Sequence, residues 1–172
     1  MGEGFTNATQ MANYYRSRNS TYPYANDEKS GAQTIEEFCQ IYIEECAAEG
    51  VKVEVAFCQA MLETGFLKFG GDVKPEQYNF AGLGATGGGN PGESFLSVRI
   101  GIRAQIQHLK AYASKENLNQ DCVDNRFQYV TRGCAPYVEW LGQKENPSGL
   151  GWATGENYGF NILNSIINLK AY

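Results

Sequence analysis

A chain of 172 residues fits one domain of ordinary size, and 42% hydrophobic against 19% charged residues predict a packed core rather than disorder. The net charge of −5, with no cluster of Lys and Arg, excludes a nucleic-acid surface, which must neutralise phosphates. No run of about 18 apolar residues occurs, so no membrane span is predicted.

The start, Met1-Gly2-Glu3-Gly4, reads as trimmed and shows no signal peptide. Asn7 to Arg18 is predicted as a short helix, capped by Thr6 or Asn7, with Met11, Tyr14 and Tyr15 as its apolar face. A polar stretch containing Pro23 connects it to the next element. Thr34 to Glu49 is predicted as a helix. Thr34 and Glu37 have capping-box spacing, Ile35, Phe38, Cys39, Tyr42 and Cys46 recur at helical period, and Gly50 ends the run. Val53 to Thr64 follows, with Val53, Ala56, Phe57, Ala60 and Met61 on one face and Gly65 in the position of a left-handed cap. The short connection predicts an antiparallel helical hairpin.

Residues 70–95 change character. Six glycines between Gly82 and Gly92 predict a loop holding one short β-hairpin. Val98 to Ala113 returns to helical period through Ile102, Ile106, Leu109 and Tyr112. The basic residues Arg99, Arg103 and Lys110 on it read as a solvated face. Phe127 to Leu141 is predicted as a shorter helix interrupted near Gly133 and Pro136, and Asn157 to Leu169 as a terminal amphipathic helix. The expected class is mainly α with one glycine-rich excursion, in a single domain spanning 1–172.

The five cysteines have no C-x-x-C pair, and the one histidine, His108, stands inside a helical pattern. Zinc is therefore not expected, and neither is any other metal or cofactor. Cys58 reads as a small buried hydrophobe. A bridge between Cys122 and Cys134 is conceivable, though spacing does not indicate it. A Walker-type Lys, a G-x-S-x-G elbow and an H-E-x-x-H pair are all missing, which disfavours a nucleotide site, one kind of serine hydrolase and one kind of metalloprotease.

Glu63 draws attention because it falls at the edge of an apolar stripe beside the small residues Ala56 and Ala60. Small neighbours leave room for a groove, and a carboxyl partly withdrawn from water holds its proton to higher pH, as a general acid must. The alternative is a solvated Glu in the last helical turn. The glycine-rich segment likewise reads either as a mobile loop or as the wall of a cleft.

Three ordered segments resemble the bacterial glucosaminidase domains of glycoside hydrolase family 73. "QAMLETG", Gln59 to Gly65, matches the helix-end pattern Q-x-x-x-E-[TS]-G. "NFAGL", Asn79 to Leu83, is similar to N-[LY]-F-G-[IL], departing from it at Phe80 and Ala81. "ATGENYGFNI" matches the closing A-T-[DG]-x-x-Y-x-x-x-[IL], with Tyr158 in the tyrosine position. The resemblance runs from about residue 34 to the end, leaving 1–33 as an N-terminal helix and loop.

The resemblance implies a lysozyme-like α+β fold, with a helical lobe and a small glycine-rich or β-hairpin lobe flanking a cleft. It implies hydrolysis of the β-1,4 bond between N-acetylglucosamine and N-acetylmuramic acid in peptidoglycan, as in an autolysin. Glu63 becomes the expected acid and Tyr158 an active-site residue, while Gln59, Asn79 and Phe80 are expected to bind substrate. Glycosidic cleavage usually needs a second carboxylate; Glu93 is favoured, with Glu76 and Asp72 as alternatives. Alternative readings are a lytic transglycosylase cleaving after N-acetylmuramic acid, and a non-catalytic wall-binding module. The expected partner is the peptidoglycan glycan strand, and the protein is expected to be a secreted, wall-associated monomer.

Overall fold

The computed structural model describes residues 1–172. Five α-helices carry the architecture: α1 Ala8–Arg16, α2 Ile35–Glu49, α3 Val53–Thr64, α4 Val98–Ala113 and α5 Tyr158–Leu169. The protein is mainly α. None of its helices is long and apolar enough to cross a membrane.

Local chemistry sets the helix ends. Asn7 Oδ1 accepts from the Gln10 amide and starts α1. Thr34 and Glu37 form the reciprocal capping box expected from their spacing. Gly50 and Gly65 adopt the left-handed conformation that lets α2 and α3 stop abruptly. Helix α3 is the innermost element, packed against α2, α4 and α5. Its residues Ala56, Phe57, Cys58, Gln59, Ala60 and Met61 are all fully buried. Aromatic edges and faces knit the core: Phe38 meets Tyr42, Phe80 and Tyr22, and Tyr42 meets Phe57, with ring centroids 5.1–6.2 Å apart.

Several expectations change. The glycine-rich segment contains no strand; a single isolated bridge joins Gly87 and Asn90. Glycines 82, 84, 87, 88, 89 and 92 have φ between 64° and 85°, which bends the chain too often for an extended pair to form. The loop is nonetheless closed, because the Glu93 amide donates to Leu83 O at 2.8 Å. Phe127 to Leu141 forms no α-helix, only the 3-10 turns Phe127–Tyr129 and Val138–Leu141, with Gly133 at φ 72° between them.

The basic series on α4 is not a solvated face. Arg103 Nε and Arg99 Nη1 each reach Glu45 of α2 at 2.8 Å, and Lys110, only 1% exposed, reaches Glu49 at 3.0 Å. Glu49 also accepts from the backbone amides of Asn119 and Gln120, so the charges pin the 119–120 segment across α2 and α4. All five cysteines are free, with Cys58 fully buried and Cys122 exposed.

Candidate active site

Glu63 stands in the last turn of α3, where the helix opens into a surface groove. One cavity, about 420 Å³, is lined by Glu63, Phe69, Asp72, Ala81, Gly82 and Trp152, among others. A second, about 510 Å³, lies against Glu63 from the α5 side, where Tyr158, Asn161, Asn164, Tyr14 and Arg18 contribute. Glu63 is the one side chain common to both, so it stands between the two cavities.

The backbone after Glu63 explains how one helix end serves both cavities. Gly65, Phe66 and Leu67 all have left-handed φ, 56–58°, and Phe69 follows at 56°. Non-glycine residues resist this region, so the turn must be held from outside. Thr64 Oγ1 accepts from the Leu67 amide at 3.0 Å, and Asn19 donates to Phe66 O at 2.8 Å. The turn places Phe66 along the second cavity and Phe69 along the first, one ring on each side of the carboxylate.

Solvent reaches Glu63 through the groove mouth, while protein walls on both sides strip much of its hydration. This partial desolvation raises its pKa; the hydrogen bond from Tyr158 opposes the shift without cancelling it. Tyr158, at the start of α5, donates to Glu63 Oε1 and accepts from Gln59 Nε2 at 2.9 Å. Burial and the neighbouring carboxylate push the Tyr158 phenol well above its usual range, so it stays a donor at any working pH.

The remaining sequence-selected residues divide. Gln59 is fully buried and lines neither cavity; it holds Tyr158 and cannot touch a substrate. Phe80 is 1% exposed and packs edge-on against Phe38 and Tyr24, so it belongs to the core rather than the groove. Asn79 borders the first cavity, but its amide is occupied by Leu83 O, the Leu83 amide and Glu93 O at 2.9–3.0 Å, which braces the groove wall.

Of the three candidate second carboxylates, Asp72 lines the cavity that Glu63 lines, while Glu93 and Glu76 line neither. Glu93 half-buries its stem beside Gly84 and takes a 3.4 Å contact from Asn125, tying the glycine-rich loop to the 119–126 segment. Asp72 in turn accepts from the Gly89 amide at 3.3 Å, so it also steadies the tip of that loop.

Sequence reasoning missed Trp152. It stands against the first cavity, steadied by His108 at 4.8 Å and 89° and by Tyr112 at 5.6 Å. His108 is itself held by Asp124 at 2.7 Å. A Trp between Gly151 and Ala153, in a loop just before the closing helix, is the available signal: a half-exposed indole there suits the C–H-rich face of a sugar. Arg18 was also missed. It lines the second cavity and pairs with no carboxylate, unlike Arg16, Arg99 and Arg103.

Residues 39–171 match the family model described as Glucosaminidase, mannosyl-glycoprotein endo-beta-N-acetylglucosaminidase. A protein of Borreliella burgdorferi, described as uncharacterized, is 44% identical over 131 residues, which is 76% of this chain and 61% of that relative. The chain thus spans about three fifths of the relative's length. No solved structure matches it.

Proposed function

Because the chain belongs to the glucosaminidase family, we propose that it is a peptidoglycan hydrolase cleaving the β-1,4 bond between N-acetylglucosamine and N-acetylmuramic acid. The observation that carries this reading is the partly desolvated Glu63 between two adjoining cavities, bonded to Tyr158. A glycan strand is a long, ribbon-like substrate, and cavities on both sides of Glu63 leave room for sugars on either side of an internal linkage.

Glu63 delivers its proton to the glycosidic oxygen as the bond to the leaving sugar breaks, and becomes a carboxylate that Tyr158 stabilises. Charge developing on the anomeric carbon calls for a carboxylate on the facing side, and water supplies the hydroxyl that the anomeric carbon gains and the proton that restores Glu63. Asp72 is the acidic residue whose position on the shared cavity supports that role, in preference to Glu93. Trp152 offers a platform for a sugar face, and Phe69 closes the wall beside it. The reading extends to an autolysin-type role on the cell wall in a secreted protein.

Purified sacculi provide the test. The parent protein should release fragments with reducing N-acetylglucosamine ends, seen by mass spectrometry. Glu63→Gln should lower the rate by about two orders of magnitude or more. Asp72→Asn should lose more activity than Glu93→Gln. Near-normal hydrolysis by Glu63→Gln would remove the assignment, anhydromuramic ends would move it to the transglycosylases, and binding without cleavage would make the domain a wall-binding module.

A further inference from the structure

Behind Glu63 runs a line of polar groups that reaches the centre of the protein. Tyr42, Gln59 and Gln105 are each 0% exposed. Tyr42 OH donates to Gln105 Oε1 at 2.6 Å, Gln105 Nε2 to Gln59 Oε1 at 2.9 Å, Gln59 Nε2 to Tyr158 OH at 2.9 Å, and Tyr158 OH to Glu63 Oε1. Four elements contribute one member or more: α2, α4, α3 and α5.

The direction of this line is dictated by one backbone atom. Gln105 Nε2 also donates to Ala56 O at 2.9 Å. A carbonyl can only accept, so the Gln105 amide nitrogen must face it. Were that amide turned over, two buried acceptors would confront each other with no hydrogen between them. With its nitrogen fixed, Gln105 presents a donor to Gln59, which must answer with its oxygen. The Gln59 nitrogen then faces Tyr158, whose oxygen accepts and whose single hydrogen has one remaining destination, Glu63 Oε1.

We propose that Gln105, through Gln59 and Tyr158, is a positioning residue that confines the transferable proton of Glu63 to Oε2. This deepens the glycosidase reading and rests on it. Oε2 is the oxygen on the Gly82 side, where even an added methyl carbon at Gly82 would lie 4.0 Å away, so the proton faces the cavity shared with Asp72. When Oε2 releases its proton to a leaving oxygen, the new carboxylate is already met at Oε1 by a hydroxyl that Gln59 polarises. The line therefore favours the state formed on proton transfer over the state before it. The other charged or titratable groups facing Glu63 are Asp72 across the first cavity and Arg18 and Tyr14 across the second.

The test follows Glu63 itself by carboxyl ¹³C NMR on glutamate-labelled protein, its signal assigned by its loss in Glu63→Gln, alongside the pH profile of kcat/KM. Tyr158→Phe removes the donor: the Glu63 titration and the alkaline limb, where the acid loses its proton, should move to higher pH, and kcat should fall about 10- to 100-fold, the loss of one hydrogen bond to a charged group, with KM little changed. Gln105→Glu keeps the shape but, buried and protonated, carries one hydrogen where the Gln105 nitrogen carries two; that hydrogen goes to Ala56 O and leaves only an acceptor facing Gln59. Gln59 must then turn its nitrogen inward, Tyr158 donates to Gln59, and Glu63 keeps its proton on Oε1. The titration should move upward although nothing in the groove has changed. Added to Tyr158→Phe, Gln105→Glu should produce no further movement, because its effect passes through that hydroxyl. Gln105→Met, uncharged and of similar volume, leaves Gln59 unoriented and should move the titration the same way by less; it serves if the Glu variant does not fold. An unmoved titration in the position-105 variants, or an equal movement with and without Tyr158, overturns the proposal. A parent protein inactive on sacculi would instead sink the glycosidase reading, since the NMR titration needs no turnover.

Discussion

Gly101→Ala sets two well-defined effects against each other. Gly101 lies inside α4, where alanine is favoured over glycine by about 1 kcal/mol through backbone entropy alone. Its φ is ordinary, so conformational freedom is not why glycine stands here. A Cβ at this position would meet Tyr78 O at 1.8 Å and Phe80 Cε2 at 3.3 Å, where real contacts under 3.0 Å essentially never occur. The obstacle is backbone, not a flexible side chain. Tyr78 itself is held in a left-handed conformation, φ 50°, at the end of the turn Pro75–Gln77. Relieving the overlap means shifting that turn by more than an ångström relative to α4. Overpacking of this kind costs typically 1–3 kcal/mol and occasionally more, and here it lies at the upper end because no rotamer change can absorb it. After subtracting the propensity gain, the variant should be less stable by about 2 kcal/mol, a fall in Tm of roughly 4–8 °C for a domain this size. Urea unfolding and thermal melts measure both. Activity should fall as well, because Tyr78 precedes Asn79, the brace of the groove wall. A variant as stable as the parent, or stabilised by the amount alanine offers, would refute the close approach of α4 to the wall.

Two further outcomes follow from charge. Arg18→Gln should raise KM about two- to fivefold for glycan bearing the muramyl carboxylate and leave neutral N-acetylglucosamine oligomers unaffected, as an exposed ion pair allows; equal effects on both substrates would deny Arg18 that role. For Glu45, burial pushes the pKa up, but hydrogen bonds from Arg103, Arg99 and Gln120 outweigh it and hold the carboxyl at about 2. A pKa depressed on folding gives stability that is full above the unfolded value, about 4.3, and lost as pH falls toward 2. Glu45→Gln should therefore be less stable at neutral pH, by about 1–3 kcal/mol after allowing for the solvent around Arg99, and its stability should change less between pH 4.5 and 2. Unfolding curves that stay parallel to the parent's through that window would contradict this.

The helices that carry Glu63 were legible because their signals are local. Thr34 and Glu37 are three residues apart, Gly65 ends α3 within the same turn as Glu63, and the apolar period of α2 and α3 repeats inside a dozen residues. The glycine-rich loop was legible as a loop but not as a wall: its φ angles explain the absence of a hairpin, while its closure depends on Asn79, Asp72 and Glu93 meeting across it.

The chain's own order thus determined where the five α-helices begin and end and that a carboxylate would stand at the end of α3, but not that Phe127 to Leu141 would form only 3-10 turns. Tertiary structure decided what surrounds that carboxylate. Gln59 and Gln105 are polar side chains on helices, and nothing in their neighbours distinguishes a solvated amide from a buried link; Gln59 finds Tyr158 ninety-nine residues away, and Gln105 finds Tyr42 at sixty-three. The Arg99, Arg103 and Lys110 series looks solvated until α2 lays Glu45 and Glu49 against it. Asp72 and Glu93 are equally acidic in sequence, and only the path of the loop puts one of them on the cavity. Caps and periodicity act over a few residues, whereas burial and pairing are settled between elements that the sequence keeps far apart.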